Sequence, residues 1–355
     1  MKGIYTIIVP SLDRTGPVNV ACDLGREAAN RGWRVRLLSL SKGSARDDTG
    51  FAEEVRPFRL SDLWTLRGVV HTHCLRPDLL GGILALNRNC TLVTTVHNFF
   101  LLDVGFGYPR PLVWLAWHLW RRTLPKYDHV VCISNAMRRY YRRILPSQSF
   151  ALAYNFRAEL PMVDDMPGMV SEWIDSQRTQ HRHLLVYVGG LSRRKNLAAA
   201  INFLRRRPDC ALLICGDGPQ RSLLERQVCA IDLGERIFFT GQIRNPRQAI
   251  LNGDMLVLPS FAEGFPLVVL EAASLGVPSL LSNIAVHREL CKLGFGVTFD
   301  HRLGSDFPAK VDKILREFPV PDQTLQELWQ REYSLSAGFS RYETLFMSSS
   351  PVSPQ

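Results

Sequence analysis

Short apolar runs alternate with amphipathic stretches along almost the whole chain. Ile4–Val9 reads as a buried strand, Val18–Asn30 as a helix and Arg34–Leu40 as the next strand. Val69–Thr72, Thr91–Val96 and His129–Ile133 continue the series, each followed by a polar loop or a helical pattern. Apolar runs of this length, bounded by turn residues, mark strands buried on both faces. Strands alternating with helices predict an α/β fold, with parallel strands and helices on both faces of the sheet. In such sheets ligands bind at the carboxyl ends of the strands.

The rhythm breaks over Arg157–Arg182, which holds Pro161, Asp164, Asp165, Pro167 and Gly168 and few periodic apolar positions. A linker is expected there. A second α/β series follows, with strands at Leu184–Val188, Ala211–Cys215, Arg236–Thr240, Met255–Pro259 and Pro278–Ser282. A chain of 355 residues exceeds one ordinary domain. The pattern therefore predicts two doubly wound, Rossmann-like domains, over residues 1–165 and 180–328. Residues 329–347 have helical spacing and carry Trp329, Tyr333, Phe339, Tyr342 and Phe346. Ser348–Gln355, rich in Ser and Pro, reads as a frayed tail.

Composition narrows the class. A 46% hydrophobic and 21% charged chain has a globular core. The eight cysteines form no C-x-x-C pair, so neither a zinc site nor a redox motif is indicated, and a reducing cytoplasm is expected. The first apolar run is only strand-length, and no run approaches the ~18 residues that span a bilayer. A soluble or peripheral protein is expected. The net charge of +10 is uneven: residues 1–165 hold 22 Lys and Arg against 14 Asp and Glu, and the remainder 21 against 19. A basic first half suggests an anionic partner, whether membrane surface, nucleic acid or acidic substrate. No nucleic-acid motif accompanies it.

Candidate chemistry concentrates after the strand Met255–Pro259. Glu263-Gly264-Phe265-Pro266 leads into an apolar helix, Leu267–Leu275, with Pro266 expected as its first residue. The backbone N–H groups of Leu267 and Val268 then point out of a helix start, where anions bind. Glu271 lies inside that helix, and a core carboxylate is costly unless paired. A ribose hydroxyl pair would suit it; an Arg partner is the other reading, and Glu263 could equally be a loop charge. After Leu184–Val188 comes Gly189-Gly190-Leu191-Ser192-Arg193-Arg194-Lys195-Asn196. Three cations before a helix would neutralise a diphosphate leaving group, or form a solvated basic loop. Gly16, between the first strand and helix, lets backbone approach a ligand. His97 closes Thr91–Val96 at a strand end, and His71 and His73 follow another strand. Gly216-Asp217-Gly218-Pro219 lacks the third glycine of a dinucleotide fingerprint, Arg221 standing there, so no nicotinamide site is predicted. No acidic pair with D-x-D spacing marks a metal–diphosphate site.

The stretch Glu263–Ala272, EGFPLVVLEA, with LPS before it and SLGVP after it, resembles the donor-site signature of retaining glycosyltransferases of the GT-B fold, the family four group. The resemblance implies two Rossmann-like domains facing across a cleft, with a C-terminal helix crossing back onto the first. It implies a nucleotide-diphosphate sugar donor, carrying UDP or GDP, and a glycan or lipid-linked acceptor in cell-envelope polysaccharide or lipopolysaccharide synthesis. Glu263 would position the sugar hydroxyls and Glu271 the ribose. Gly264, Phe265, Leu267 and Val268 would cradle phosphate, and Lys195 would stabilise the departing diphosphate. Gly190 stands where the family has an Arg, a place that Arg193 or Arg194 would fill. The loop of Gly16 would contact the diphosphate and His97 the sugar. No metal and no cofactor is expected. A phosphorylase or epimerase of the same fold, and a nucleic-acid-binding protein, are the alternatives.

Trp114, Trp117 and Trp120 recur at three-residue spacing, and Arg138, Arg139, Arg142 and Arg143 interleave with Tyr140 and Tyr141. Tryptophan and arginine suit headgroup depth, so these residues predict an anionic-membrane or acceptor surface. A cytoplasmic protein, peripheral on the inner face of the membrane, follows.

Overall fold

The computed structural model describes residues 2–43, 46–87, 89–103, 109–159, 166–243 and 245–348. The chain divides into two compact units, one of residues 1–158 with 332–355 and one of residues 159–331.

The first unit holds a parallel sheet of β1 (Ile4–Val9), β2 (Arg34–Ser39), β3 (Glu54–Pro57), β4 (Gly68–His73), β5 (Cys90–Val96), β6 (His129–Cys132) and β7 (Ala151–Leu152). Their order is β3-β2-β1-β4-β5-β6-β7. The first crossover helix, Gly16–Asn30, starts with a proline in its first turn and buries Val18, Ala21, Cys22, Gly25 and Ala28. Gly25 lets it approach the sheet: a Cβ there would lie 2.9 Å from Ile7 and 2.4 Å from Phe51. The chain returns to this unit through the helix Leu335–Ser348. Its Glu343 accepts from Arg31 at 3.0 Å, Trp33 at 3.1 Å and Lys2 at 2.7 Å.

The second unit holds β8 (His183–Val188), β9 (Cys210–Cys215), β10 (Ile237–Gly241), β11 (Met255–Leu258), β12 (Ser279–Ser282) and β13 (Gly296–Phe299). They are parallel, in the order β10-β9-β8-β11-β12-β13. β9, β11 and β12 are buried at every residue, as strands covered by helices on both faces must be.

Strand order reverses between β1 and β4 in one unit and between β8 and β11 in the other. At such a point two neighbouring strands send their chains to opposite sides, and the crevice left at their carboxyl ends is the place for a ligand.

The expected linker Arg157–Arg182 differs from the structure. Residues 160–165 lie outside the described residues, and Gly168–Thr179 is a helix that buries Val170, Ile174 and Gln177. One buried position is a glutamine, which weakens the apolar period. The tail from residue 349 also lies outside the described residues. No described helix is long and apolar enough to cross a membrane.

Candidate functional site

The carboxyl ends of β8 and β11 carry the charged cluster of the second unit. β8 runs into Gly189 and Gly190, then a single 3-10 turn of Arg193–Lys195. Asn196 sits in the left-handed region, φ 52°, and its amide donates to the carbonyl of Pro259 at 3.1 Å. The backbone N–H of Phe261 donates to the Arg194 carbonyl at 2.9 Å, so the loops after β8 and β11 are tied together.

Glu263 is buried in the middle of this knot. Its Oε1 accepts from Lys195 Nζ at 2.6 Å and from Ser260 Oγ at 2.6 Å, and its Oε2 from Arg194 at 3.3 Å. Burial alone would raise its pKa, but Lys195, Arg194 and Ser260 together push it down to about 2. Arg194 also donates to the Ala262 carbonyl at 2.8 Å. A carboxylate has about four acceptor positions and three are filled here, which leaves one for a ligand hydroxyl. Arg193 is exposed and lines a recess of about 160 Å³ with Ser192, Asn196, Leu197 and Gln220.

Beyond Glu263, Gly264 and Phe265 are buried, and the helix Leu267–Ser274 begins. Pro266 is its N-cap and Leu267 its first residue, one position later than expected. Proline still supplies no N–H, so the amides offered by the helix start are those of Leu267 and Val268. Glu271 corrects the expectation of a fully buried carboxylate: it is half-buried, as are Leu267 and Val268, so this side of the helix is not core. Its charge also acts on Arg247, a buried residue of the helix Arg247–Leu251 whose pKa is lowered by burial and raised back by Glu159 and Glu271. Arg247 was not singled out from sequence. A cation in the run Arg247–Leu251 that turns an apolar side inward was the available signal.

Next to the switch point a recess of about 210 Å³ is lined by Gly189, Gly190, Gly216, Gln242, Ile243 and Pro246. A Cβ on Gly216, φ +147°, would lie 2.0 Å from the Gly189 carbonyl, so the glycines after β9 serve loop packing.

In the first unit Gly16 opens the Gly16–Asn30 helix after β1, exposed and without a left-handed backbone. His97 follows β5 and His73 ends β4, neighbouring strands at the carboxyl edge. Both are buried, and His73 Nδ1 lies 2.9 Å from His97 Nε2. His71 lies against His73, tilted by 36° with ring centres 4.2 Å apart, and bonds Tyr5 and Thr95, each at 2.8 Å. Burial lowers the pKa of all three, that of His97 to about 3.

The tryptophan face is corrected. Trp117 and Trp120 are buried, and Trp120 donates to Asp78 Oδ2 at 3.0 Å while stacking on Phe100 at 5.2 Å. Only Trp114 is exposed, at 63%. Three-residue steps fall short of the 3.6-residue turn, so the three rings fan around the helix Arg110–Thr123 instead of sharing one face. Outward-facing instead are Leu112, Leu115 and Leu119, with Arg121 and Arg122 beside them. Arg139, Arg142 and Arg143 are exposed, whereas Arg138 is half-buried and donates to Asn135 at 2.7 Å.

Known proteins resemble this chain in sequence and in fold. A family model described as "Glycosyl transferases group 1" matches residues 171–325, and one described as "Glycosyltransferase Family 4" matches residues 14–156. The chain is similar to the Escherichia coli "O-antigen biosynthesis glycosyltransferase WclY", at 24% identity over 98% of each chain. Among solved structures it is similar to the sucrose-phosphate synthase of Thermosynechococcus elongatus, with TM-score 0.78 and 18% identity over 98% of this chain and 99% of that one. It is also similar to Anabaena HepE in complex with UDP, with TM-score 0.75 and 15% identity over 98% and 100%.

Proposed function

We infer the reaction from a premise that is itself established: the chain belongs to the family four, group 1 glycosyltransferases and has the GT-B fold. It moves a sugar from a nucleotide-diphosphate donor to a hydroxyl of a glycan or lipid-linked acceptor, in the synthesis of envelope polysaccharide of the O-antigen or lipopolysaccharide type. The name of the WclY relative supports the pathway, and the UDP held by the HepE neighbour supports a nucleotide donor.

The observation that carries the reading is the cluster of Lys195, Arg194 and Glu263 at the β8–β11 switch point. Glu263 fixes the two cations where a diphosphate would lie, beside the helix start at Leu267 and Val268. Preorganised cations stabilise charge on a leaving group without reorganisation at the moment of reaction. Glu263's remaining acceptor position takes a sugar hydroxyl, and Glu271 takes the ribose. Gly264 and Phe265 shape the turn between them, and the recess at Gln242 and Ile243 receives the base. For Gly16 and His97 of the first unit, the family resemblance alone supports a diphosphate contact and a sugar contact.

Transfer proceeds with retention. The bond from C1 to the diphosphate oxygen breaks, the acceptor oxygen bonds C1 on the same face, and the leaving phosphate oxygen takes the acceptor proton. Lys195 and Arg194 supply the counter-charge, so transfer survives EDTA. A screen of UDP- and GDP-sugars with lipid-linked acceptors, in EDTA, tests this. Release of nucleoside diphosphate matched to an α-linked product from an α-linked donor supports it. Release of sugar 1-phosphate in phosphate buffer without acceptor contradicts it and favours a phosphorylase.

The acceptor is met at an anionic membrane surface, where the protein is peripheral on the cytoplasmic face. Leu112, Leu115, Leu119 and Trp114 enter the headgroup layer, and Arg121, Arg122, Arg139, Arg142 and Arg143 meet the anionic lipid. Each such cation contributes about 1 kcal/mol near the surface, within a Debye length of ~8–10 Å. Flotation with phosphatidylserine liposomes at low salt, lost in Leu115→Glu, checks it; indifference to those liposomes removes the surface.

A further inference from the structure

Two imidazoles meet at the carboxyl edge of the first sheet, and their hydrogen can be placed by elimination. His73 Nδ1 and His97 Nε2 are 2.9 Å apart, so one of them donates and the other accepts. His73 Nε2 is buried and has no hydrogen-bond partner among the described residues. If His97 donated, the neutral His73 ring would carry its hydrogen on Nε2 and bury an N–H without an acceptor. If His73 donates from Nδ1, only a lone pair is left bare at Nε2. Buried N–H groups without an acceptor are the rarer of the two defects in folded proteins.

We propose that His73 is a positioning residue for His97: by donating from Nδ1 it holds His97 in the tautomer whose hydrogen sits on Nδ1. The ring of His73 is itself fixed. His71 lies against it, tilted by 36° with ring centres 4.2 Å apart, and His71 is pinned between the Tyr5 hydroxyl and Thr95, which in turn contacts the Tyr342 hydroxyl at 3.1 Å. Four side chains from β1, β4, β5 and the Leu335–Ser348 helix thus set one ring that sets the tautomer of the next. With Nε2 engaged, His97 can offer a ligand only Nδ1–H, a donor. It is built to bond a sugar oxygen and not to remove a proton. Burial agrees, since it lowers both imidazoles out of the range in which they would be cations at neutral pH. The tautomer of a metal-ligating or catalytic histidine is set by the bond its other nitrogen makes, and the same logic applies here.

The proposal rests on the reading that His97 meets the donor sugar, but its first test does not. Protein labelled with 15N-histidine is measured by long-range 1H–15N correlation, which separates hydrogen on Nδ1 from hydrogen on Nε2. In the wild type His97 is expected to carry it on Nδ1. In His73→Phe the His97 signal is expected to move toward the Nε2–H form. In His73→Asn, whose side-chain N–H can stand near the Nδ1 position, it is expected to stay. A wild-type His97 protonated on Nε2, or a His97 signal unaffected by His73→Phe, overturns the proposal. Should His73→Phe not fold, the wild-type tautomer and His73→Asn decide it. Kinetics add the second arm. His73→Phe should lower kcat at least tenfold with nucleoside diphosphate affinity unchanged, and His73→Asn should recover most of it. Full turnover in His73→Phe overturns the positioning role. A wild type with the Nδ1–H tautomer but no sugar transfer leaves the tautomer in place and overturns the reading of function instead.

Discussion

The two sheets reverse strand order in the same way, yet they treat the buried polar groups beside the reversal differently. After β8 and β11 a buried carboxylate stays charged, because Lys195 and Arg194 stand 2.6 and 3.3 Å from it. On β4 and just after β5 three imidazoles are buried with no carboxylate among the described residues in their network, and burial keeps them neutral. Close opposite charge preserves ionisation where desolvation alone would remove it. A charged edge with cations to spare fits a diphosphate, and a neutral edge of fixed donors fits the hydroxyls of a sugar.

The largest effect should come from breaking the charged edge. Lys195→Ala leaves Glu263 buried with one cation fewer, and such a break costs about 3–5 kcal/mol. His73→Phe leaves only a neutral nitrogen of His97 unpartnered and should cost about 1–3 kcal/mol. Urea denaturation of both variants ranks them; an equal or inverted order would end the contrast.

Smaller is the effect of Glu271→Gln. On the proposed reading it removes a charge-assisted bond to the nucleotide, so calorimetry should find UDP or GDP binding weaker by roughly 1.5–3 kcal/mol. Folding should change little, since Glu271 is half-buried. Unchanged affinity takes Glu271 out of the site.

Acid should act on the two edges in different windows. His97 falls from an ordinary 6.5 to about 3, so its contribution is present above 6.5 and is lost as pH drops below that value. Its loss amounts to at most about 1.4 kcal/mol per pH unit. Glu263 falls from 4.5 to about 2, so its contribution is present above 4.5 and is lost only toward pH 2. Asp78, raised from 3.8 to about 6, runs the other way, its contribution being lost as pH rises through 6. His97→Phe should therefore flatten the fall in stability between pH 6.5 and 4.5, and Glu263→Gln should not. Urea midpoints across that range check the assignment.

Much of the fold was legible because strands covered on both faces must be continuous apolar runs, as Ile4–Val9 and Cys210–Cys215 are. β3 was missed because Glu54, Val55, Arg56 and Pro57 form an edge strand that is half solvated, with charges along it. β7 has only two residues. Within the site, the local signals of a helix start and a basic turn were readable. The pairing of Lys195 with Glu263 was not, since 68 residues separate them and only adjacent β8 and β11 join them. Trp120 reads as surface in the sequence because its partner, Asp78, lies 42 residues away. Nor could the meeting of His73 and His97 be seen before β4 and β5 were known to be neighbours in register.

We propose that the carboxyl edge of β8 and β11 receives a nucleoside diphosphate through Lys195. It is tested most directly by calorimetric titration of UDP and of GDP, in EDTA, into the wild type and into Lys195→Gln, at a temperature where both are folded by circular dichroism. At least one of the two nucleotides is expected to bind the wild type, and Lys195→Gln to weaken that binding roughly tenfold to 150-fold. Equal affinity in the two proteins, or no binding of either nucleotide to the wild type, would contradict it.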